Sequence, residues 1–80
     1  MEKDITIDIH LTEDDTETTV TALLDIRGDH FEARGTARRN PIDPPMPEIG
    51  EELAIARALG VLQAEVMEAA QGKIAEYLTG

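Results

Sequence analysis

From Asp4 to Leu11 apolar and polar residues alternate without a slip, with Ile5, Ile7, Ile9 and Leu11 on one side and Asp4, Thr6, Asp8 and His10 on the other. A period of two sends successive side chains to opposite faces of a pleated strand, so this segment predicts a half-buried strand. Thr12 to Thr16, centred on Glu13, Asp14 and Asp15, has nothing to bury and predicts a solvated, mobile hairpin loop. Alternation resumes from Thr18 to Ile26, with Val20, Ala22, Leu24 and Ile26 inward and Thr19, Thr21, Asp25 and the out-of-pattern Leu23 outward. The threonines favour a strand there. Arg27-Gly28-Asp29 reads as a tight turn in which Gly28 takes positive φ at little cost. His30 to Arg38 is then a third strand, with Phe31, Ala33, Gly35 and Ala37 inward. Inner residues this small leave room for a closely packed helix.

Arg39 to Pro47 holds Pro41, Pro44, Pro45 and Pro47, each of which removes a backbone donor and biases its predecessor towards an extended shape. The segment predicts a stiff linker that spans up to roughly 25 Å, enough to cross the sheet or to reach a neighbouring subunit. A helix over 48–79 follows. Pro47 suits its first position, and Glu48, Glu51 and Glu52 favour its N-terminal dipole. Ile49, Leu53, Ala56, Leu59, Leu62, Val66, Ala69, Ile74 and Tyr77 recur at steps of mostly three or four and are the expected sheet-facing stripe. About 30 helical residues measure ~45 Å, whereas a strand of this size measures ~30 Å. The helix must therefore kink at Gly60 or overhang the sheet, and the expectation is an overhang that packs on a second copy through Leu62, Val66, Met67, Ile74 and Leu78. The fold class is α+β: a three-stranded antiparallel sheet followed by a long C-terminal helix, one domain over 1–80 with a meander (1–38), a linker (39–47) and the helix (48–79).

A chain of 80 residues makes one small core that is marginal without a supplement. With no Cys and only His10 and His30, disulfides and Cys/His zinc sites are excluded, which leaves a partner chain as the expected supplement. Met1-Glu2-Lys3-Asp4 has no basic n-region or apolar h-region, so a cytoplasmic location is expected, and no apolar run is long enough to cross a membrane. Net charge is −10, unevenly distributed. The first hairpin is strongly acidic, while Arg27, Arg34, Arg38 and Arg39 make the third strand and its flanks weakly basic. A field of this sign repels phosphate backbones, so DNA is not an expected partner and an RNA contact would have to be confined to those four arginines.

Gly35-Thr36-Ala37-Arg38-Arg39-Asn40-Pro41-Ile42-Asp43, followed by Pro47-Glu48-Ile49-Gly50-Glu51-Glu52-Leu53-Ala54-Ile55-Ala56-Arg57-Ala58-Leu59, closely resembles an actinobacterial family of small domains of unknown function. That family is described as having a fold like the double-stranded-RNA-binding domain. The resemblance implies a sheet-plus-helix domain that dimerises. Its mycobacterial members are likened to ribosome hibernation-promoting factors and associated with dormancy, which implies a stress role at the ribosome.

Bland readings stand beside the sharper ones. Arg34 and Arg38 share the outward face of the third strand with no aromatic for base stacking, and cross-strand pairing with Asp8, Glu17 or Asp25 is the plain alternative. Arg57 is expected to reach back to Asp43 or to linker carbonyls as a structural clamp, and Asn40, Pro41, Pro47 and Gly50 also read as structural. Asp4, Asp8 and His10 share a strand face, but without a second histidine in register no metal or other cofactor is expected. Glu48, Glu51 and Glu52 have an ordinary electrostatic reason to begin a helix, and so small a domain has little volume for an enclosed catalytic pocket. The expected function is thus a non-enzymatic homodimeric interaction module, a candidate stress factor at the ribosome. The alternative is an acidic adaptor that recruits a basic protein through the first hairpin.

Overall fold

The structure, a computed structural model, describes residues 1–39 and 46–79. Strands β1 (Asp8–Glu13), β2 (Glu17–Ile26) and β3 (Asp29–Arg38) pair antiparallel in the order β1-β2-β3, and one helix, α1 (Pro47–Thr79), follows. This is the α+β meander-plus-helix that the alternation predicts. Asn40, Pro41 and Asp43 lie outside the described residues.

The ladder of β1 is shifted from its expected place. Ile5 and Ile7 precede it, and Thr12 and Glu13 join it opposite Thr19 and Thr18. The loop contracts to Asp14–Thr16 because Asp14 satisfies the turn itself. Its Oδ1 accepts the amides of Thr16 and Glu17, both at 2.8 Å, and its own amide donates to the Glu17 carbonyl at 3.0 Å. These amide donors hold the Asp14 carboxyl below the usual carboxylate range. The loop is exposed as expected, but its backbone is tied down. At the second turn both Arg27 (φ 51°) and Gly28 (φ 84°) are left-handed between the paired Ile26 and Asp29, the pattern of a two-residue type I′ hairpin.

Register builds the core. Val20 pairs with Leu11 and Gly35, and Ala22 with Ile9 and Ala33, so one face of all three strands is apolar. The helix lies over β3 and β2 and buries Val20, Ala22, Leu24, Ala33 and Ala37 against Ala54, Ala58 and Leu62. Gly35 sets the distance between the layers. A Cβ there would overlap the Ala58 amide nitrogen and the Ala54 carbonyl oxygen and would lie 2.9 Å from the Ala58 Cα, so helix backbone rests directly on strand backbone.

That approach corrects the expected helix stripe. Of the expected stripe, Leu62 is buried and Val66 and Ala69 are half-buried as predicted, but Ile49, Leu53, Ala56 and Leu59 are exposed, and in the first half of the helix Ala54 and Ala58, flanked by half-buried Ile55, face the sheet instead. Bulky residues at the Gly35 crossing would hold the helix off, whereas alanines let it seat. Leu62, expected at a dimer contact, is 3% exposed in the core. The helix is unbroken through Gly60. Pro47 opens it as expected, and Gly50 lies against Thr18, where a Cβ would come 3.2 Å from the threonine hydroxyl.

Candidate interaction surface

Ile9 lies on the helix side of the sheet, opposite the buried Ala22, and Ile5 and Ile7 continue its alternation ahead of the ladder; the three are 51% (Ile5), 42% (Ile7) and 41% (Ile9) exposed. The helix covers β3 and β2 and leaves the β1 half of the apolar face open. Two polar contacts fix the helix in place. Arg57 donates to the Thr36 carbonyl at 2.8 Å, on the edge strand β3; Asp43, its expected clamp partner, lies outside the described residues. Lys73 pairs with Asp29 at the start of β3, so the last helical turns lie beyond the end of the sheet. There Ile74, Tyr77 and Leu78 are largely exposed, and Met67 is half exposed.

The surface tally agrees. The chain exposes 6337 Å², whereas a compact monomer of 8.7 kDa exposes about 4,700 Å². Its radius of gyration is 16.3 Å, against about 12 Å for a compact domain of this length. The molecule is elongated, 56 × 26 × 17 Å.

The expected arginine set does not converge. Arg34 and Arg38 lie on the outward face of β3, opposite Thr21 and Glu17, whereas Arg27 occupies the turn at the far end of the hairpin. Arg38 and Arg39 border an open cleft of about 870 Å³ between the first hairpin and the helix start, together with Glu13, Asp14, Asp15, Glu17, Met46 and Leu53. Asp25, a suggested partner for these arginines, instead meets His30 across the strands at 2.6 Å. The hydrogen bond to that carboxylate, and then its charge, raises the His30 pKa above the ordinary histidine value.

One pairing was not anticipated from sequence. Glu51, on the first turns of the helix, meets Glu13 at the end of β1. A hydrogen bond between the two carboxyls, then their mutual repulsion, raises the Glu51 pKa. Among the described residues no group of three His, Cys, Asp or Glu side chains is placed to hold a metal ion. No described helix is long and apolar enough to cross a membrane.

Rv2632c, an uncharacterized protein of Mycobacterium tuberculosis, is 45% identical over 56 residues, which cover 70% of this chain and 60% of the relative. The uncharacterized protein Mb1767 of Mycobacterium bovis is 44% identical over 57 residues, 71% of this chain and 61% of the relative. The matched stretch thus spans about three fifths of those relatives. The crystal structure of Rv2632c is similar with a TM-score of 0.89 at 35% identity, covering 96% of this chain and 92% of that one. The family model described as Rv2632c-like matches residues 3–80. A match that takes in all three strands and the helix, joined to the same architecture in a solved relative, means that the chain belongs to the Rv2632c-like family.

Proposed function

We propose that the chain works as a non-enzymatic interaction module whose active form is a homodimer. The observation that carries this reading is surface left over after folding: about 1,600 Å² more than a compact monomer of this mass exposes, with three isoleucines of the sheet and three large side chains of the helix end among it. Two chains together hold a surplus of about 3,200 Å², within the range that permanent homodimers bury. The chemistry on the described surface also favours binding over catalysis. Glu13, Asp25 and His30 are exposed and Glu51 is half-buried, and the cleft that Glu13 borders is open to solvent, so neither pair has an enclosed pocket to hold a substrate dry.

Light scattering at micromolar concentrations is expected to return twice the 8.7 kDa chain mass; the single-chain mass at high micromolar concentration would overturn the dimer. A stress role at the ribosome draws support from the family resemblance and from Arg34 and Arg38, which project from one face of β3. Co-sedimentation with ribosomes, lost in an Arg34→Glu, Arg38→Glu variant, is the outcome that role requires. Binding that survives the charge reversal, or absence of binding at every salt concentration, removes it and leaves the acidic hairpin around Asp14 and Asp15 as the surface for a basic protein partner.

A further inference from the structure

We propose that in the dimer the helix tail of each copy, carrying Ile74, Tyr77 and Leu78, covers the open β1 half of the other copy's sheet at Ile5, Ile7 and Ile9. This rests on the homodimer proposed above and adds which face meets which.

The rotation of the helix supplies the first step. Arg57 reaches the carbonyl of Thr36 on β3, so its flank of the helix is the one towards β3. At 100° per residue the opposite flank carries Ile55, Val66 and Tyr77, eleven residues apart and in line. Ile55 and Val66 are half-buried against the core, whereas Tyr77 is 87% exposed, because the sheet has ended by the Lys73–Asp29 pair. That flank therefore continues through Tyr77 for about 9 Å past the last strand residue beneath it, and Ile74 and Leu78 extend the exposed apolar surface round the helix from Tyr77, away from the side of Ala54, Ala58 and Leu62.

The second step is position. Lys3, Asp4, Ile5, Thr6 and Asp8 lie alongside Asp25, Ile26 and Arg27, so the segment that carries Ile5 and Ile7 runs at the same end of the molecule as the overhanging tail. Each copy thus carries, side by side, a sheet face that lacks a helix and a helix end that lacks a sheet. A two-fold axis through that end satisfies both at once and closes the assembly, where a head-to-tail arrangement would leave one face open at each end. Charge permits the contact in spite of the net −10. Ile5-Thr6-Ile7 has no charge, and the single charge over 74–79, Glu76, projects on the side of the helix away from Ile74 and Leu78.

The absence of native cysteine makes the geometry directly testable. Ile7→Cys and Tyr77→Cys are placed in separate full-length chains, mixed, allowed to exchange, and treated with a short bis-maleimide. The expected product, by mass spectrometry, is the mixed Ile7→Cys to Tyr77→Cys adduct in several-fold excess over either self-adduct. Ile9→Cys with Ile74→Cys is a second pair, used if circular dichroism shows that a variant of the first is unfolded. Self-adducts dominating while light scattering still reports a dimer would overturn this arrangement and leave the dimer standing. A mixture that scatters as single chains, with no adduct of any kind, would overturn both.

Discussion

At the scale of single residues, the position that decides most is Gly35. Its missing Cβ is what lets Ala54 and Ala58 lie against the strand, and the atoms a methyl group would meet belong to helix backbone, which cannot swing aside as a side chain can. Gly35→Ala is therefore expected to force the two layers apart and to lower stability by about 1–3 kcal/mol, the usual cost of overpacking, read as a fall in the urea midpoint. Gly60 is the internal comparison. It lies in the unbroken helix with nothing within 4 Å of a built Cβ, so Gly60→Ala is expected to raise stability by about 0.5–1 kcal/mol through helix propensity alone. Equal effects of the two substitutions would mean that Gly35 does not set the layer spacing. Both glycines are visible in the sequence, but only the fold separates a glycine needed for close approach from one that is merely tolerated.

At the scale of elements, the strands are legible and the orientation of the helix is not. Val20, Ala22 and Leu24 take every second position on a central strand, with only Leu23 out of pattern between them, and Gly28 marks the turn, so period and turn chemistry agree on the meander. In the helix, large apolar residues such as Leu53, Leu59, Leu62 and Ile74 fall on more than one side, so the three-and-four spacing found the core side at Leu62, Val66 and Ala69 but missed it at Ala54 and Ala58. The sheet-facing side is chosen by the fit of alanines to Gly35, which no spacing along the helix encodes. The exposed apolar surface of the helix was legible at Met67, Ile74 and Leu78, but the uncovered Ile5, Ile7 and Ile9 follow only from where the helix seats. Between elements, the Glu13–Glu51 contact is also a product of that seating, since it joins the end of β1 to the start of the helix. Glu51 has its pKa raised in the fold, so its favourable contribution is complete below the ordinary glutamate value and is lost as pH rises through the raised one. Glu51→Gln removes that loss. Thermal melts are expected to place the variant above the parent at neutral pH, with the gap closing as the pH falls into the range where Glu51 is protonated. A gap that widens on acidification would mean that the ionised Glu51 stabilises the fold.

At the scale of the whole molecule, two terms of opposite sign bear on the proposed dimer: exposed apolar surface, which favours it, and a net charge of −10 on each copy, which opposes it. The proposed contact is made by Ile5, Ile7, Ile9, Ile74, Tyr77 and Leu78, with the acidic hairpin at the other end of the sheet, so added salt has little to weaken at the contact and much repulsion to screen. Raising ionic strength from about 0.01 M to 0.1 M shortens the Debye length from about 30 Å to about 10 Å, less than the long dimension of 56 Å, so most of the repulsion between distant carboxylates disappears over that interval. Self-association followed by sedimentation across this range is therefore expected to tighten with salt. An association held mainly by ion pairs, for example Arg34 or Arg38 of one copy against the acidic hairpin of another, would loosen instead, because salt screens attraction as readily as repulsion. The sign of that one slope thus separates a dimer made by uncovered isoleucines from one made by the arginine strand, and a loosening would shift the interface from the β1 half of the sheet to its outward face.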